Sequence, residues 1–131
     1  MKPMTQEWIS KAEDDYSTVE RECRARKRPN YSGACYHAQQ CIEKYLKGAL
    51  AESDMDFPKI HDLSALLRIA LPAFPEWNDM KADLVVLNDF AVAFRYPGEN
   101  ADRDLARKAR ECCRRVRCRI RVSLGLDEDL F

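Results

Sequence analysis

The 131-residue sequence lacks several features that would point directly to a class of function. It has only four glycines, and none forms the Gly-x-x-x-x-Gly-Lys loop that cradles phosphates in many nucleotide hydrolases. It has no apolar run near the ~20 residues of a membrane span, and its start, MKPMTQEW, has no signal-peptide core. No alternating pattern with hairpin turns predicts strands. We therefore expect a cytoplasmic protein with no membrane partner.

The six cysteines contain no Cys-x-x-Cys pair. Cys35, His37 and Cys41 are close in sequence, but at helical period the two cysteines share the apolar face and the histidine does not. We therefore expect no metal site and no cofactor. Free thiols in a reducing compartment are the simpler prediction. Five of the cysteines occupy apolar helical positions: Cys23, Cys35, Cys41, Cys112 and Cys113.

The formal net charge is zero, but the charge is distributed unevenly along the chain. Residues 1–22 contain three basic and six acidic side chains, a difference of −3. Residues 103–121 contain nine basic and two acidic side chains, a difference of +7. This polarity carries more information about partners than the sum does.

Helical periodicity predicts an all-α fold, an up-and-down bundle of four to five helices. The first helix is predicted to begin at a Thr5 cap and to end near residues 26–28, and the second covers residues 31–51. A loop follows over residues 52–59, and a short helix covers residues 61–71. The fourth helix is predicted over about Glu76 to Phe94, with Met80, Leu84, Leu87, Ala91 and Phe94 as its inner seam.

The last helix is predicted to begin at an Asn100 cap and to end at Gly125. We treat residues 1–131 as one domain, with its core over about residues 5–124. The acidic tail over residues 126–131 is expected to fray.

The second predicted helix has an apolar face and a polar face. Its polar row repeats at three- and four-residue steps through His37, Gln40, Lys44 and Lys47, with Glu43 beside it. A buried surface does not tolerate such groups unpaired, so this row is expected to face water or a binding site. Gly48 lies inside the helix and predicts close packing against a neighbouring helix.

The last predicted helix carries an arginine stripe of a single sign. Like charges at these spacings repel each other by a few tenths of a kcal/mol per pair, so an acidic neighbour or phosphates should offset them. An acidic first helix, an acidic partner and RNA phosphates are the alternatives. The stripe consists of Arg103, Arg107, Arg110, Arg114, Arg117 and Arg121.

Two further features are the segment FRYPG, which contains Arg95 and Tyr96, and the second histidine, His61. An arginine at a helix end can simply satisfy the helix dipole, and a histidine at a helix start can act in capping. Neither histidine has a serine or cysteine nucleophile at a recognisable spacing, so a catalytic triad has no support.

Four motifs in order carry a family resemblance. A Trp-x-x-Lys-Ala-x-x-Asp start at Trp8 is followed by YHAQQCIEKYLKGAL, KIHDLSALL and FRYPG. Together they resemble the HEPN family, the higher-eukaryote and prokaryote nucleotide-binding domains, over about Trp8 to Leu124. The resemblance implies a helical bundle that dimerises, a site near the dimer cleft and a frequent partner, a minimal nucleotidyltransferase.

The resemblance also implies that some relatives are toxin ribonucleases, which use an arginine followed four to six residues later by a histidine. This sequence departs from that pattern. Arg95 is present, but Asn100 stands five residues later and no histidine follows as far as Phe131. Asparagine cannot move a proton near neutral pH as imidazole does.

These observations give three hypotheses. The first is a non-catalytic dimeric HEPN module that binds a nucleotide or other phosphate ligand and acts with a nucleotidyltransferase, as in a toxin–antitoxin pair. The second is a toxin ribonuclease whose base is His37 or His61. The third is a structural dimerisation module.

In the first hypothesis, Arg95 grips phosphate, Tyr96 stacks on a base, and Lys44 and Lys47 converge with Arg95 to add positive charge. His61, His37 and Gln40 complete the ligand-binding set. An internal Glu43–Arg95 pair is the competing interpretation.

Overall fold

The structure, a computed structural model, describes residues 1–127. It contains five α-helices: α1 (Pro3–Arg24), α2 (Tyr31–Glu52), α3 (Leu63–Ala70), α4 (Lys81–Asn88) and α5 (Arg103–Ser123). Two 3-10 segments, Pro75–Met80 and Asp89–Ala91, flank α4. The part of the chain that the structure describes has no strand. The predicted all-α helical bundle is confirmed.

Helix α2 lies at the centre of the bundle. Its apolar face is fully buried from Ala34 to Leu50, and it packs against α1, α3, α4 and α5. The close packing predicted at Gly48 is confirmed, because a Cβ atom there would lie 3.1 Å from the Cβ of Trp8. The helix is capped by Asn30, whose side chain accepts a hydrogen bond from the amide of Gly33 at 2.7 Å.

The predicted caps of the first and last helices are wrong. Thr5 is buried inside α1, where its hydroxyl donates to Glu52 at 2.9 Å, and the same carboxylate oxygen accepts from the amide of Lys2 at 3.0 Å. Glu52, at the end of α2, therefore accepts hydrogen bonds from the first turn of α1 and from the residue that precedes it. Helix α5 is capped by Asp102, which accepts from the amide of Leu105 at 2.8 Å, and Asn100 is exposed in the preceding loop.

The predicted fourth helix is divided into three pieces. Regular α-helix ends at Asn88, whose side chain accepts from the amide of Leu63 at 2.8 Å and donates to Asp62 at 3.0 Å. These bonds tie the end of α4 to the start of α3. Of the predicted seam, Met80, Leu84 and Leu87 are buried, whereas Ala91 and Phe94 are only half-buried. Phe94 has a φ of 62°, a left-handed conformation that a helix does not continue.

Asp62, and not His61, caps α3, which begins two residues later than the helix predicted over residues 61–71. Its carboxylate accepts from the amides of Ser64 and Ala65 as well as from Asn88. These hydrogen bonds hold the pKa of Asp62 below its usual value, and the bond from Asn88 has the largest effect. The inward residues predicted for this helix, Leu63, Leu66, Leu67 and Ala70, are all buried.

The six cysteines are free thiols. Cys35, Cys41, Cys112 and Cys113 are buried as predicted, whereas Cys23 and Cys118 are half-buried. Burial raises the pKa of Cys35 to about 12 and that of Cys112 to about 11. The pKa of Cys41 is also raised, because burial and the neighbouring Cys113 both disfavour its thiolate.

Within residues 1–127, no helix is both long and apolar enough to span a lipid bilayer. The buried apolar side chains form one cluster, and Leu124 and Leu126 pack against its edge. The single-domain division stays a prediction. Of the tail expected to fray, residues 128–131 lie outside the described residues.

Candidate functional site

The first part of the predicted polar row meets a buried acid on α1. The side chain of Asp15 is 9% exposed, and its two oxygens contact different residues of α2. One lies 2.7 Å from Nδ1 of His37, and the other accepts from Nζ of Lys44 at 2.5 Å. The positive charge of Lys44 is therefore compensated within the chain.

The second part of the row surrounds Glu43, whose side chain is 6% exposed. Glu43 accepts from Nζ of Lys47 at 3.1 Å, and its other oxygen lies 2.9 Å from Nδ1 of His61. Gln39 donates to the carbonyl of His61 at 3.0 Å, and Gln40 donates to Gln39 at 2.7 Å. The imidazole of His61 is 72% exposed, so Glu43 orients a ring whose far side meets solvent.

Arg95 lies at a different place, near the start of α2. Its guanidinium is exposed and donates to the carbonyl of Ala91 at 2.8 Å. A shallow groove of about 380 Å³ lies beside it. Within residues 1–127, no carboxylate lies within 4 Å of Arg95. The groove is lined by Asn30, Ser32, Gly33, Tyr36, Ala93, Phe94 and Arg95.

The predicted convergence of Lys44, Lys47 and Arg95 is wrong within one chain. Tyr36 lines the groove with Arg95 and lies 8 and 11 residues before the two lysines. At 1.5 Å per residue, these separations correspond to about 12 and 16.5 Å along the axis of α2. The alternative Glu43–Arg95 pair is not formed either, because Glu43 is engaged by Lys47 and His61. The early end of α4 explains both results, since Arg95 follows the helix rather than ending it.

The arginine stripe of α5 faces α1 over part of its length. Arg110 binds Glu20 through two hydrogen bonds of 2.9 Å each. Arg117 is 2% exposed and binds Glu13 at 2.7 and 2.6 Å, with its guanidinium 4.1 Å from the ring centre of Tyr16. Acids of the first helix therefore compensate part of the positive charge of the stripe, which is one of the predicted alternatives. The first two members, Arg103 and Arg107, remain exposed.

The tyrosine of α2 extends this buried contact. The hydroxyl of Tyr45 donates to Glu13 at 2.6 Å and accepts from Arg121 at 3.0 Å. Burial raises the pKa of Tyr45, and the carboxylate of Glu13 raises it further. The hydroxyl therefore stays protonated and links α1, α2 and α5. Among residues 1–127, no group of three or more His, Cys, Asp or Glu side chains could hold a metal ion.

A family model for the HEPN domain matches residues 5–123, nearly the whole chain. The chain belongs to the HEPN family. No curated protein and no solved structure is significantly similar to it. The family membership agrees with the helical bundle described above and with the order of the four motifs. It concerns the domain and does not identify a ligand, a reaction or a partner.

Within this HEPN domain, the sequence did not reveal the acids that engage the polar residues. Asp15 and Glu13 were visible only as part of an acidic first helix. Their partners are distant in the sequence, and only the spacing of Glu13 and Glu20 offered a signal. These two acids are seven residues apart, as are Arg110 and Arg117, which matches two antiparallel helices that exchange charges at every second turn.

Proposed function

We propose that this protein is a non-catalytic, dimeric HEPN module that binds a nucleotide or another phosphate ligand and acts with a minimal nucleotidyltransferase, in a toxin–antitoxin-like pair. The observation that carries the proposal is the state of Arg95. This guanidinium is exposed beside a groove and engaged by a single backbone carbonyl, whereas Lys44 and Lys47 are held by carboxylates. A planar, permanently charged donor group of this kind matches a phosphate.

The surroundings of Arg95 support a nucleotide rather than a bare anion. Tyr96 is 73% exposed next to it, and Tyr36, on the groove wall, is 40% exposed. An exposed aromatic ring offers a surface on which a base stacks. The hydroxyl of Ser32 accepts from the amide of Ala101 at 3.0 Å and so holds the loop after Arg95 against α2. The ligand set of this proposal is Arg95, Tyr96, Tyr36 and Ser32.

The predicted members His37, Gln40, Lys44, Lys47 and His61 have a different place in this proposal. They belong to the two carboxylate clusters of Asp15 and Glu43, and none of them lines the Arg95 groove. In a dimer, the second copy can bring its own clusters to the first copy's groove. The dimer and the nucleotidyltransferase partner are supported by family membership alone.

The expected result for phosphate binding is a thermal shift. A ligand that binds only the folded state, at a hundred times its dissociation constant, stabilises it by about 2.7 kcal/mol. We therefore expect a nucleoside triphosphate to raise the melting temperature of the wild type by several degrees, and Arg95→Ala to abolish the rise. Differential scanning fluorimetry at matched ionic strength measures both.

Arg68→Ala is the matched control, because Arg68 is also an exposed arginine and lies on α3. It should leave the ligand-induced rise intact. An equal rise in wild type and Arg95→Ala, or none in either, would contradict the assignment of Arg95 as the phosphate-binding residue.

A second candidate function, ribonuclease activity, is favoured by the two histidine–carboxylate pairs. Asp15 orients His37 and Glu43 orients His61, and a carboxylate at one ring nitrogen fixes the tautomer and leaves the other nitrogen for proton transfer. His61 is the more accessible of the two. Neither histidine stands at the position that follows Arg95 in the ribonuclease members of the family.

The proposed function predicts that the purified protein does not cleave structured or unstructured RNA. Incubation with labelled RNA, resolved by electrophoresis, tests this beside His61→Ala and His37→Ala variants. Cleavage that disappears in one of these variants, and also in Arg95→Ala, would establish the ribonuclease and overturn the binding module. Cleavage that persists in all three variants would come from a contaminating nuclease.

A further inference from the structure

One end of the bundle carries a concentration of exposed positive charge, which we call the basic end. It consists of residues 21–28, at the end of α1 and in the loop after it, and residues 102–108, at the start of α5. The eight cations are all exposed: Arg21, Arg24, Arg26, Lys27, Arg28, Arg103, Arg107 and Lys108.

Antiparallel packing of α1 and α5 brings the two segments together. Glu13 pairs with Arg117 and Glu20 with Arg110, so seven residues forward on α1 match seven residues back on α5. The two helices stay in contact beyond these pairs, because the Cys23 thiol lies 3.8 Å from the carbonyl oxygen of Ala106. The end of α1 and the beginning of α5 therefore share one surface.

The acids of the basic end do not neutralise its cations. Its three carboxylates are Glu22, Asp102 and Asp104, so eight cations leave a net charge of +5. Since the whole chain is formally neutral, the remainder carries −5. Glu22 accepts from the amide of Asn30 at 2.7 Å, and Asp102 caps α5. None of the eight cations has a carboxylate within 4 Å among residues 1–127.

The helix dipole does not account for this arrangement. Cations suit the C-terminus of α1, where Arg24 lies, but residues 26–28 follow the helix. Arg103 opens α5, where the dipole disfavours positive charge. Like charges facing each other across two helix ends add to the cost. The surface is therefore shaped for an external anion of extended form, because the cations cover two helix ends and a loop rather than a single pocket.

Aromatic rings lie at the edge of the same surface. The loop before α5 is bound to the start of α2 through Ala101 and Ser32, and the Arg95 groove with Tyr36 lies there. Tyr36 is 40% exposed. Cations that contact phosphates beside exposed rings that stack on bases are the composition of a single-strand binding surface.

We propose that the basic end binds a single-stranded nucleic acid, with the arginines and Lys27 contacting backbone phosphates and Tyr36 stacking on a base. This surface adjoins the proposed nucleotide site and shares Tyr36 with it, but its phosphate contacts come from cations other than Arg95. It also differs from the arginine stripe predicted along α5, because Arg110 and Arg117 of that stripe are bound to acids of α1. The basic end instead includes the exposed cations of loop residues 26–28.

The test is binding of fluorescent 20-mers, measured by anisotropy across a salt series: uridine RNA, thymidine DNA and a mixed-sequence duplex. For single strands, each phosphate contact contributes about −0.7 to the slope of log affinity against log salt. The triple variant Arg26→Gln, Lys27→Gln, Arg28→Gln removes three such contacts. We expect it to lower single-strand affinity at least tenfold at low salt and to reduce the slope by about 2.

The matched control is Lys11→Gln, Lys59→Gln, Lys81→Gln, which removes the same charge from exposed lysines outside the basic end. It should lower affinity less than threefold. Tyr36→Ala should weaken single-strand binding about tenfold and leave the salt slope unchanged, because stacking releases no counterions. A difference between the RNA and DNA arms identifies which strand the surface prefers.

Three results would overturn the proposal: equal losses in the two triple variants, tighter binding of the duplex than of single strands, or displacement of RNA by poly-glutamate at equal charge. The last result would identify an acidic protein as the partner. Both triple variants retain Arg95, so the thermal shift with nucleoside triphosphate reports separately on the proposed function.

Discussion

Replacing Glu13 by alanine is expected to destabilise the protein by about 3 kcal/mol, the usual cost of breaking a buried ion pair from one side. Arg117 is 2% exposed and donates two hydrogen bonds to this carboxylate. Without it, the guanidinium stays desolvated beside the ring of Tyr16. The hydroxyl of Tyr45 loses its acceptor as well. For a chain of this length, the melting temperature should fall by roughly 10 °C.

Glu20→Ala is the matched comparison, seven residues along the same helix. Its partner, Arg110, has a side chain that is 28% exposed and regains water when the carboxylate is removed. Glu20 also accepts a hydrogen bond from Tyr16, so a loss of about 1–2 kcal/mol is expected, smaller than that at Glu13. Urea denaturation of both variants measures the difference. Equal losses would show that the depth of Arg117 has no energetic consequence.

The same pair has a defined pH dependence. Burial raises the pKa of Glu13, but the hydrogen bonds from Arg117 and Tyr45 and the charge of Arg117 outweigh it, so the net pKa is lowered. The unfolded chain therefore takes up the proton first as the pH falls. The contribution of the pair is complete above the unfolded pKa of about 4.3 and is lost as the pH falls through the folded pKa. The stability difference between wild type and Glu13→Gln should narrow accordingly below about pH 4.

Trp77→Ala is expected to cost about 3–5 kcal/mol, a large share of a total stability of about 5–15 kcal/mol. The indole is fully buried and stacked on Phe74, with ring centres 4.0 Å apart and planes 5° apart. Its Nε1 donates to the hydroxyl of Ser123 at 2.9 Å. One side chain therefore fastens the 3-10 segment before α4 to the end of α5.

Two controls separate the contributions at Trp77. Trp77→Phe keeps most of the apolar volume and loses the hydrogen bond, so a smaller cost of about 1–2 kcal/mol is expected. Trp8→Ala removes the other tryptophan, which is half-buried against Phe57, and should cost less than Trp77→Ala. Thermal and urea unfolding measure all three. A larger loss at Trp8 would contradict the assignment of Trp77 as the main anchor.

Sequence periodicity predicted the helices whose stability depends on a single apolar face. The bounds of α2 and the inner residues of α3 follow from such faces, and so do the buried positions of α5. The wrong predictions concern groups whose partners are distant in the chain. Thr5 looks like a cap until Glu52, 47 residues away, is placed beside it. The end of α4 depends on a bond from Asn88 to Asp62, 26 residues away.

The candidate site divides in the same way. The polar row of α2 was predicted to face water or a binding site, but its members are bound within the chain, to Asp15, Glu43 and Gln39. The predicted convergence of its lysines with Arg95 required a straight fourth helix up to residue 94, and α4 ends at Asn88. The basic end was not predicted from the sequence, because its cations come from two segments that are more than seventy residues apart. Each segment alone resembles an ordinary charged helix end.

The buried cysteines report on local opening of the helical bundle. Cys35, Cys41 and Cys113 are fully buried, and a raised pKa keeps the first two protonated and unreactive. Alkylating reagents reach these thiols when the helices that cover them separate. The rate of their modification therefore measures how often α2 and α5 part, as amide exchange does for backbone groups. The thiols are native residues, so no engineered cysteine is needed to follow the opening of the central helix.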